Sequence, residues 1–345
     1  MRLRFLMMMA VLIVLVMCGT IARGQKKPPH TPKPPDKPSK VKVKDKDIET
    51  AVEQEERTVA VEPGVVITLC VDSGSITVRG SDRREVRALF PKGTKIDFGR
   101  EADANSTNPA TRLEVLVSEP AGEDEEEEPH FGRCSGVADI ELDVPREATL
   151  FFKSADADLD VDAVAEAHLE TNGGKISMRR VTRAVEATSI EGDVLLEDSS
   201  GRVSLESFNG SVEAVNVSKT AEGDFFRAKT ISNDVMLKHV THSRVEVSTI
   251  SGEITMAGPL ARYAQYDLKT TSGDITLTMP VDSSFRLTAR VSEGGEIVTD
   301  FPLKYAGGLS TDRLLSTGQM IGTHGKGDAT INLASFSGTL RLRRQ

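Results

Sequence analysis

One phrase recurs along this chain and restricts it more than any other feature. In Val245-Glu-Val-Ser-Thr-Ile-Ser-Gly-Glu-Ile-Thr-Met256, apolar and polar residues alternate on both sides of Ser251-Gly252. That is strand periodicity broken by a glycine hinge. Aligned on the hinge, the matching positions are Gly74, Ala157, Gly174, Gly192, Gly210, Asn233, Gly252, Gly273, Gly295 and Gly338. Two places after the hinge every copy is apolar: Ile76, Leu159, Ile176, Val194, Val212, Val235, Ile254, Ile275, Ile297 and Leu340. Five places before it only Arg290 is not apolar, and the doubled Gly294-Gly295 predicts a one-residue bulge there. Three places before it stand Ser154, Thr171, Ser189, Ser207, Thr230, Thr249, Thr270, Ser292 and Ser335, with Val71 the exception.

From Ala157 to Gly295 the hinges lie 17, 18, 18, 23, 19, 21 and 22 residues apart. A unit of about 20 residues cannot bury its own apolar stripe, but a stack of them can. The expected fold is therefore all-β: a single-stranded, right-handed parallel β-helix or solenoid with coils of about 20 residues. Residues seven, five and three places before the hinge share one face and point inward. The hydroxyl at minus three can then satisfy a backbone group left open at the turn. Glycine at the hinge reads as a residue supplying φ > 0, with Asn233 the next best substitute and Ala157 marking a coil that turns differently. An ordinary antiparallel sandwich would not keep ten copies in one phase.

Composition suits a thin interior. Trp is absent, aromatics are 4%, and Val, Ile and Leu carry the core. Residues 1–24 read as a signal peptide. Arg2 and Arg4 precede an apolar run from Phe5 to Met17, and Ala22-Arg23-Gly24 offers small residues at a cleavage site. The alternative is a lipoprotein anchored at Cys18, against which Met17 stands where a small residue belongs. Cleavage after Gly24 leaves 40 basic against 52 acidic residues. Residues 25–55 form a Lys/Pro-rich tether with six prolines between Pro28 and Pro38. Such a segment buries nothing; it is a solvated spacer, or one resting its charge on anionic envelope material. Export leaves Cys70 and Cys134, which in an oxidising compartment favours one disulfide over two buried thiols.

Residues 56–345 constitute the solenoid domain. Its first part, 56–148, is an initial coil and cap, with strands at Thr58–Val61, Val65–Val71, Ser75–Arg79, Glu85–Phe90, Leu113–Val117 and Val137–Val144. Between Pro91 and Pro109 periodicity is lost. The acidic loop 122–129 lacks the spacing of a calcium site. Regular coils occupy 149–300, and 301–345 is a hairpin-rich excursion before the final coil. Asp156, Asp158, Asp160 and Asp162 alternate with apolar residues and read as a solubilising outer stripe. His239-Val-Thr-His242 lacks the further ligands of a zinc site and reads as a surface turn. Metal, cofactor and catalytic residues are expected to be absent.

The repeated Thr-x-Ser/Asn-Gly-Asp/Glu-Ile phrase, in Glu186–Leu196, Val203–Glu213, Val245–Met256 and Tyr266–Met279, resembles the bacterial putative-adhesin family, a domain of unknown function with β-solenoid repeats. The closing segment Ala329–Leu340 adds to the likeness, which covers roughly 56 to 343. The resemblance implies a secreted or envelope-associated, non-enzymatic solenoid and supplies no catalytic residues. The expected role is an exported binding or structural module of the cell envelope, its partner an envelope polymer or protein. One alternative is a periplasmic scaffold that engages a membrane-bound regulator. A polysaccharide-cleaving β-helix is less favoured, since regular coils build no cleft and only Tyr263, Tyr266 and Tyr305 supplement the absent Trp. Nucleic acid is excluded as a partner by the acidic balance, and membrane contact is confined to the tether.

Overall fold

The structure is a computed structural model that describes residues 53–100, 108–118, 136–305 and 318–345. It is all-β and built as a solenoid. Each regular coil supplies one strand before its hinge and one after. The strands before the hinge are β7 (Glu166–Thr171), β9 (Ala184–Ser189), β11 (Arg202–Ser207), β13 (Phe226–Thr230), β15 (Arg244–Ser248) and β17 (Gln265–Thr270). Those after it are β8 (Ile176–Arg179), β10 (Val194–Glu197), β12 (Val212–Ser218), β14 (Val235–Thr241), β16 (Ile254–Ala257) and β18 (Ile275–Met279). From β7 to β16 every strand pairs in parallel with the strand two places on, so the two sets form two parallel ladders.

Register places like on like. Ile176, Val194, Val212, Val235, Ile254 and Ile275 form one column, each 1% exposed or less. Each such side chain contributes about 1.5–3 kcal/mol on burial. A strand has period two, so its apolar members line the interior and its polar members face out. β1 (Gln54–Ser81) and β6 (Thr149–Asp162) run through both ladders unbroken. Coil Ala157 accordingly has no sharp hinge; the strand bends through it.

The two ends depart from sequence order. β4 (Ala110–Ser118) and β5 (Val137–Pro145) both lie parallel to β1, on the side away from β6. The first rung in sequence is thus second in space. At the other end β22 (Ala329–Ser335) and β23 (Leu340–Arg344) lie between β17/β18 and the pair β19 (Phe285–Val291) and β20 (Ile297–Thr299). The last rung in sequence is next to last in space. The hinge column therefore has eleven members. Ala138 precedes Gly74, and Gly338 sits between Gly273 and Gly295.

Each end is closed by antiparallel strands. β2 (Glu85–Pro91) pairs with the start of β1 and with β5. β3 (Lys95–Arg100), in a stretch where the sequence shows no periodicity, pairs with β4. β21 (Gln319–His324) covers β19. Beside β4, β5 and β19 these strands replace the open parallel edge that would otherwise accept another chain; β20 has no second neighbouring strand among the described residues. The bulge at Gly294-Gly295 is present in the register. Val291 pairs with Ser335 and Ile297 with Leu340, leaving one extra residue in β19–β20. Val291, not Ser292, therefore takes the inward minus-three place, and Ser292 is exposed.

Candidate functional site

The hinge corner is the most regular part of the surface, and its chemistry begins with the minus-three hydroxyls. Ser154, Thr171, Ser189, Ser207, Thr230, Thr249, Thr270 and Ser335 are all buried. Ser207 Oγ accepts the Gly210 N–H at 2.9 Å and donates to the Gly192 carbonyl of the preceding rung at 2.9 Å. Thr249 does the same with Gly252 N–H and the Asn233 carbonyl, both at 3.1 Å. Thr230, Thr270 and Ser335 donate to the carbonyls of Gly210, Gly252 and Gly273. The hydroxyl therefore ties its own hinge to the hinge below, and leaves neither backbone group bare in the interior.

The hinge glycines are needed for a reason other than φ > 0. Only Gly74, at φ 118°, lies in the left-handed region; Gly174, Gly192, Gly210, Gly252, Gly273, Gly295, Gly338 and Asn233 do not. A Cβ at Gly192 would stand 1.9 Å from the Gly174 carbonyl oxygen, and one at Gly338 1.8 Å from that of Gly273. Stacking brings each of these hinge glycines against the carbonyl of its neighbour, and at those positions only a missing side chain admits that approach. Asn233 carries its amide outward to the Asn209 carbonyl.

The acid that follows many hinges also has a structural partner. Asp158, Asp193, Asp234 and Asp274 each accept the backbone N–H of the next rung, from Lys175, Ser211, Glu253 and Thr339, at 2.7–2.8 Å. The Thr339 N–H and the Arg341 guanidinium hold the Asp274 carboxyl below its ordinary range. Asp156 and Asp160 stay exposed on the outer stripe, and Asp162 pairs with Arg180.

Two places before the hinge the corner turns apolar. Ile190, Phe208, Ile250 and Phe336 are 42%, 40%, 49% and 48% exposed, and Ile231 stands half-buried between Phe208 and Ile250. Backbone bonds stack these positions. Ile231 N–H donates to the Phe208 carbonyl, Ile250 N–H to that of Ile231, and Ser272 N–H to that of Ile250. Thr271 interrupts the line before Phe336, whose rung bonds to it through Ser337 N–H. The result is a ridge of large apolar side chains on a convex edge. Beside it lie Glu191, Asp193, Asp234 and Glu253, none ion-paired with another described residue. A shallow depression of about 350 Å³ adjoins its Ile190 end, lined in part by Asp156, Asn172 and Glu191. The signal was in the sequence: Ser-Ile-Glu-Gly, Ser-Phe-Asn-Gly, Thr-Ile-Ser-Asn, Thr-Ile-Ser-Gly and Ser-Phe-Ser-Gly repeat an apolar residue where a turn should be polar.

The opposite corner was not anticipated. Six places after the hinge, Ala163, Arg180, Asp198, Asn216 and His239 adopt φ of 46–60°, and Gly258 131°. Asn216 Nδ2 donates to Asp198 Oδ1 at 2.9 Å, and His239 Nδ1 lies 3.2 Å from Asn216 Oδ1. His239 is exposed, but His242 is not on a surface turn: it is fully buried. The 23-residue interval folds Thr220–Asp224 outward, and His242 fills the space beneath, against Phe226. Its Nε2 donates to the Gly201 carbonyl at 2.7 Å, and its Nδ1 has no hydrogen-bond partner among the described residues. Burial pushes the imidazole below its ordinary range, against the opposing pull of Gly201 and the Asp224 carboxylate; Lys219 adds to the depression.

The remaining sequence candidates are dispersed. Cys70 is disulfide-bonded. Cys134 and the acidic loop 122–129 lie outside the described residues, as do the leader and nearly all of the tether. Among the described residues no three His, Cys, Asp or Glu side chains converge as a metal site would require.

Similar solved structures include a putative adhesin from Parabacteroides merdae, 7% identical, which aligns over 84% of this chain and 96% of its own with a TM-score of 0.43. A putative adhesin from Parabacteroides distasonis is 8% identical over 85% and 98%, with a TM-score of 0.45. A putative lipid binding protein from the same species is 11% identical over 83% and 96%, with a TM-score of 0.35. At such identities and scores these likenesses say nothing of ligands. No curated protein matches the chain. The match that identifies it runs from residue 71 to 343, through every regular coil and the inserted last rung: the chain belongs to the Toastrack DUF4097 family.

Proposed function

We propose that this protein is an exported, non-enzymatic binding or structural module of the cell envelope or cell surface. The observation that carries the reading is the apolar ridge from Ile190 to Phe336, held in line by rung-to-rung hydrogen bonds. Large apolar side chains repeated on an exposed edge serve contact with a partner better than they serve folding. The partner is extended along the stack, because the side chains that meet it recur once per rung. A cysteine held in a disulfide and an apolar leader are consistent with an oxidising, extracytoplasmic setting. Pull-down from envelope extract with residues 48–345, compared with the same chain carrying its Lys/Pro segment, tests the reading. Recovery of a defined polymer supports adhesion, and recovery of one membrane protein supports a scaffold for a regulator. Recovery of nothing above background overturns the envelope role.

A further inference from the structure

The ridge has a length, a spacing and a charged border, and together they limit what can lie on it. From the rung of Ile190 to the rung of Phe336 are five steps of about 4.8 Å, some 24 Å in all. An α-helix of about 16 residues has that length, and its turns repeat every 5.4 Å or so, within about 0.6 Å of one rung. Over five rungs that difference sums to about 3 Å, so apolar residues spaced three and four apart keep step with the ridge side chains over two or three successive rungs and fall between them further on.

Other occupants fit less well. An added β-strand needs open backbone groups, but the corner amides and carbonyls are already joined, as in Asn209 to Ile190 at 2.8 Å and Ser251 to Ile231 at 2.9 Å. A helix brings a backbone that is satisfied internally. A second copy would set Glu191, Asp193, Asp234 and Glu253 against their own kind. An anionic lipid surface meets the same repulsion. The hinge side of the ridge calls for positive charge, while two residues before the ridge positions Glu206 is paired with Lys229 and Lys269 is exposed.

We propose that the hinge-corner ridge is a docking surface for a basic amphipathic α-helix of a partner protein. Its apolar stripe lies on Ile190, Phe208, Ile231, Ile250 and Phe336, and its lysines or arginines face Glu191, Asp193, Asp234 and Glu253. This rests on the binding-module reading above and narrows it to one class of partner.

Fluorescence anisotropy on the full-length protein tests it, with a labelled 16-residue synthetic helix carrying a leucine stripe and lysine flanks. Two control peptides share its length, one with glutamate flanks and one with the same residues scrambled. The lysine helix binds; the controls do not. The Ile190→Ser/Phe208→Ser/Ile250→Ser variant loses about tenfold or more in affinity. Asp193→Asn/Asp234→Asn, which keeps the N–H acceptors and removes the charge, loses about threefold, as does a rise in salt. Phe336→Ser, one residue on a separate rung, gives a smaller loss without risk to the other coils. Circular dichroism should leave the folds of all three variants unchanged. Equal binding by the triple variant, or equal binding of the glutamate helix, overturns the proposal. So does failure of the lysine helix to bind while the ridge variants still lose envelope capture; that result rejects the helix and leaves the envelope role standing.

Discussion

Replacing Gly192 with alanine tests the stacking argument at its tightest point. The new Cβ would lie 1.9 Å from the Gly174 carbonyl oxygen, where a real Cβ keeps at least 3.0 Å. The two rungs must part by about an ångström at that corner. Glu191 N–H to the Asn172 carbonyl, now 2.7 Å, and Ile176 N–H to the Asp193 carbonyl, now 2.9 Å, would both stretch beyond bonding range. Two such bonds are worth about 1 kcal/mol each, and overpacking adds about 1–3, for a total of about 3–5 kcal/mol. Gly64→Ala is the control, because nothing lies within 4 Å of its added Cβ and its φ is not left-handed. That change should be neutral or stabilise by a few tenths of a kcal/mol through the unfolded state. Urea midpoints compare the two variants, and native-state hydrogen exchange locates the damage. The amides of Ile176 and Glu191 should lose protection while that of Ile331, several rungs away, keeps it, since rungs couple to nearest neighbours. If the two variants have the same midpoint, or Ile176 and Glu191 exchange at wild-type rates in Gly192→Ala, close approach is not why glycine stands at the hinge.

Three more expectations follow from the structure. Deleting residues 329–345 should expose β17 and β18 as well as β19 and β20, because the last rung lies between them; hydrogen exchange showing unchanged protection at Leu268 and Ile275 would contradict the insertion. His242 has a folded-state pKa below its unfolded value, so the unfolded chain binds the extra proton. Stability is therefore full above about pH 6.5 and falls by up to about 1.4 kcal/mol per pH unit as the pH drops toward the folded pKa. Urea titrations at pH 7.5 and 5.5 should show that loss shrink in His242→Gln; an identical loss would assign the acid sensitivity elsewhere. Peptide mapping without reductant should recover Cys70 joined to Cys134, and a Cys70 peptide linked to any other partner would refute that pairing.

The sequence alone was enough to say which side chains face inward. Period two around an apolar column at plus two places Val194 and Ile254 inside, whatever their neighbours, because a strand has only two faces. The minus-three hydroxyls were legible for the same reason, and so was the bulge at Gly294-Gly295. The order of the rungs was not. Parallel backbone bonds are the same whichever coil lies alongside, and a repeated sequence offers each rung several equivalent neighbours. Only the folded chain, with a loop long enough to skip a place between Met279 and Phe285 and return, decides that Gly338 lies on Gly273. Burial of His242 and the place of Phe336 at the end of the line begun by Ile190 belong to the same class, although the apolar residue two places before the hinge recurs visibly in the sequence. Each depends on which rung is next and on what a neighbouring loop leaves uncovered, and those distances exist only once the coils have stacked.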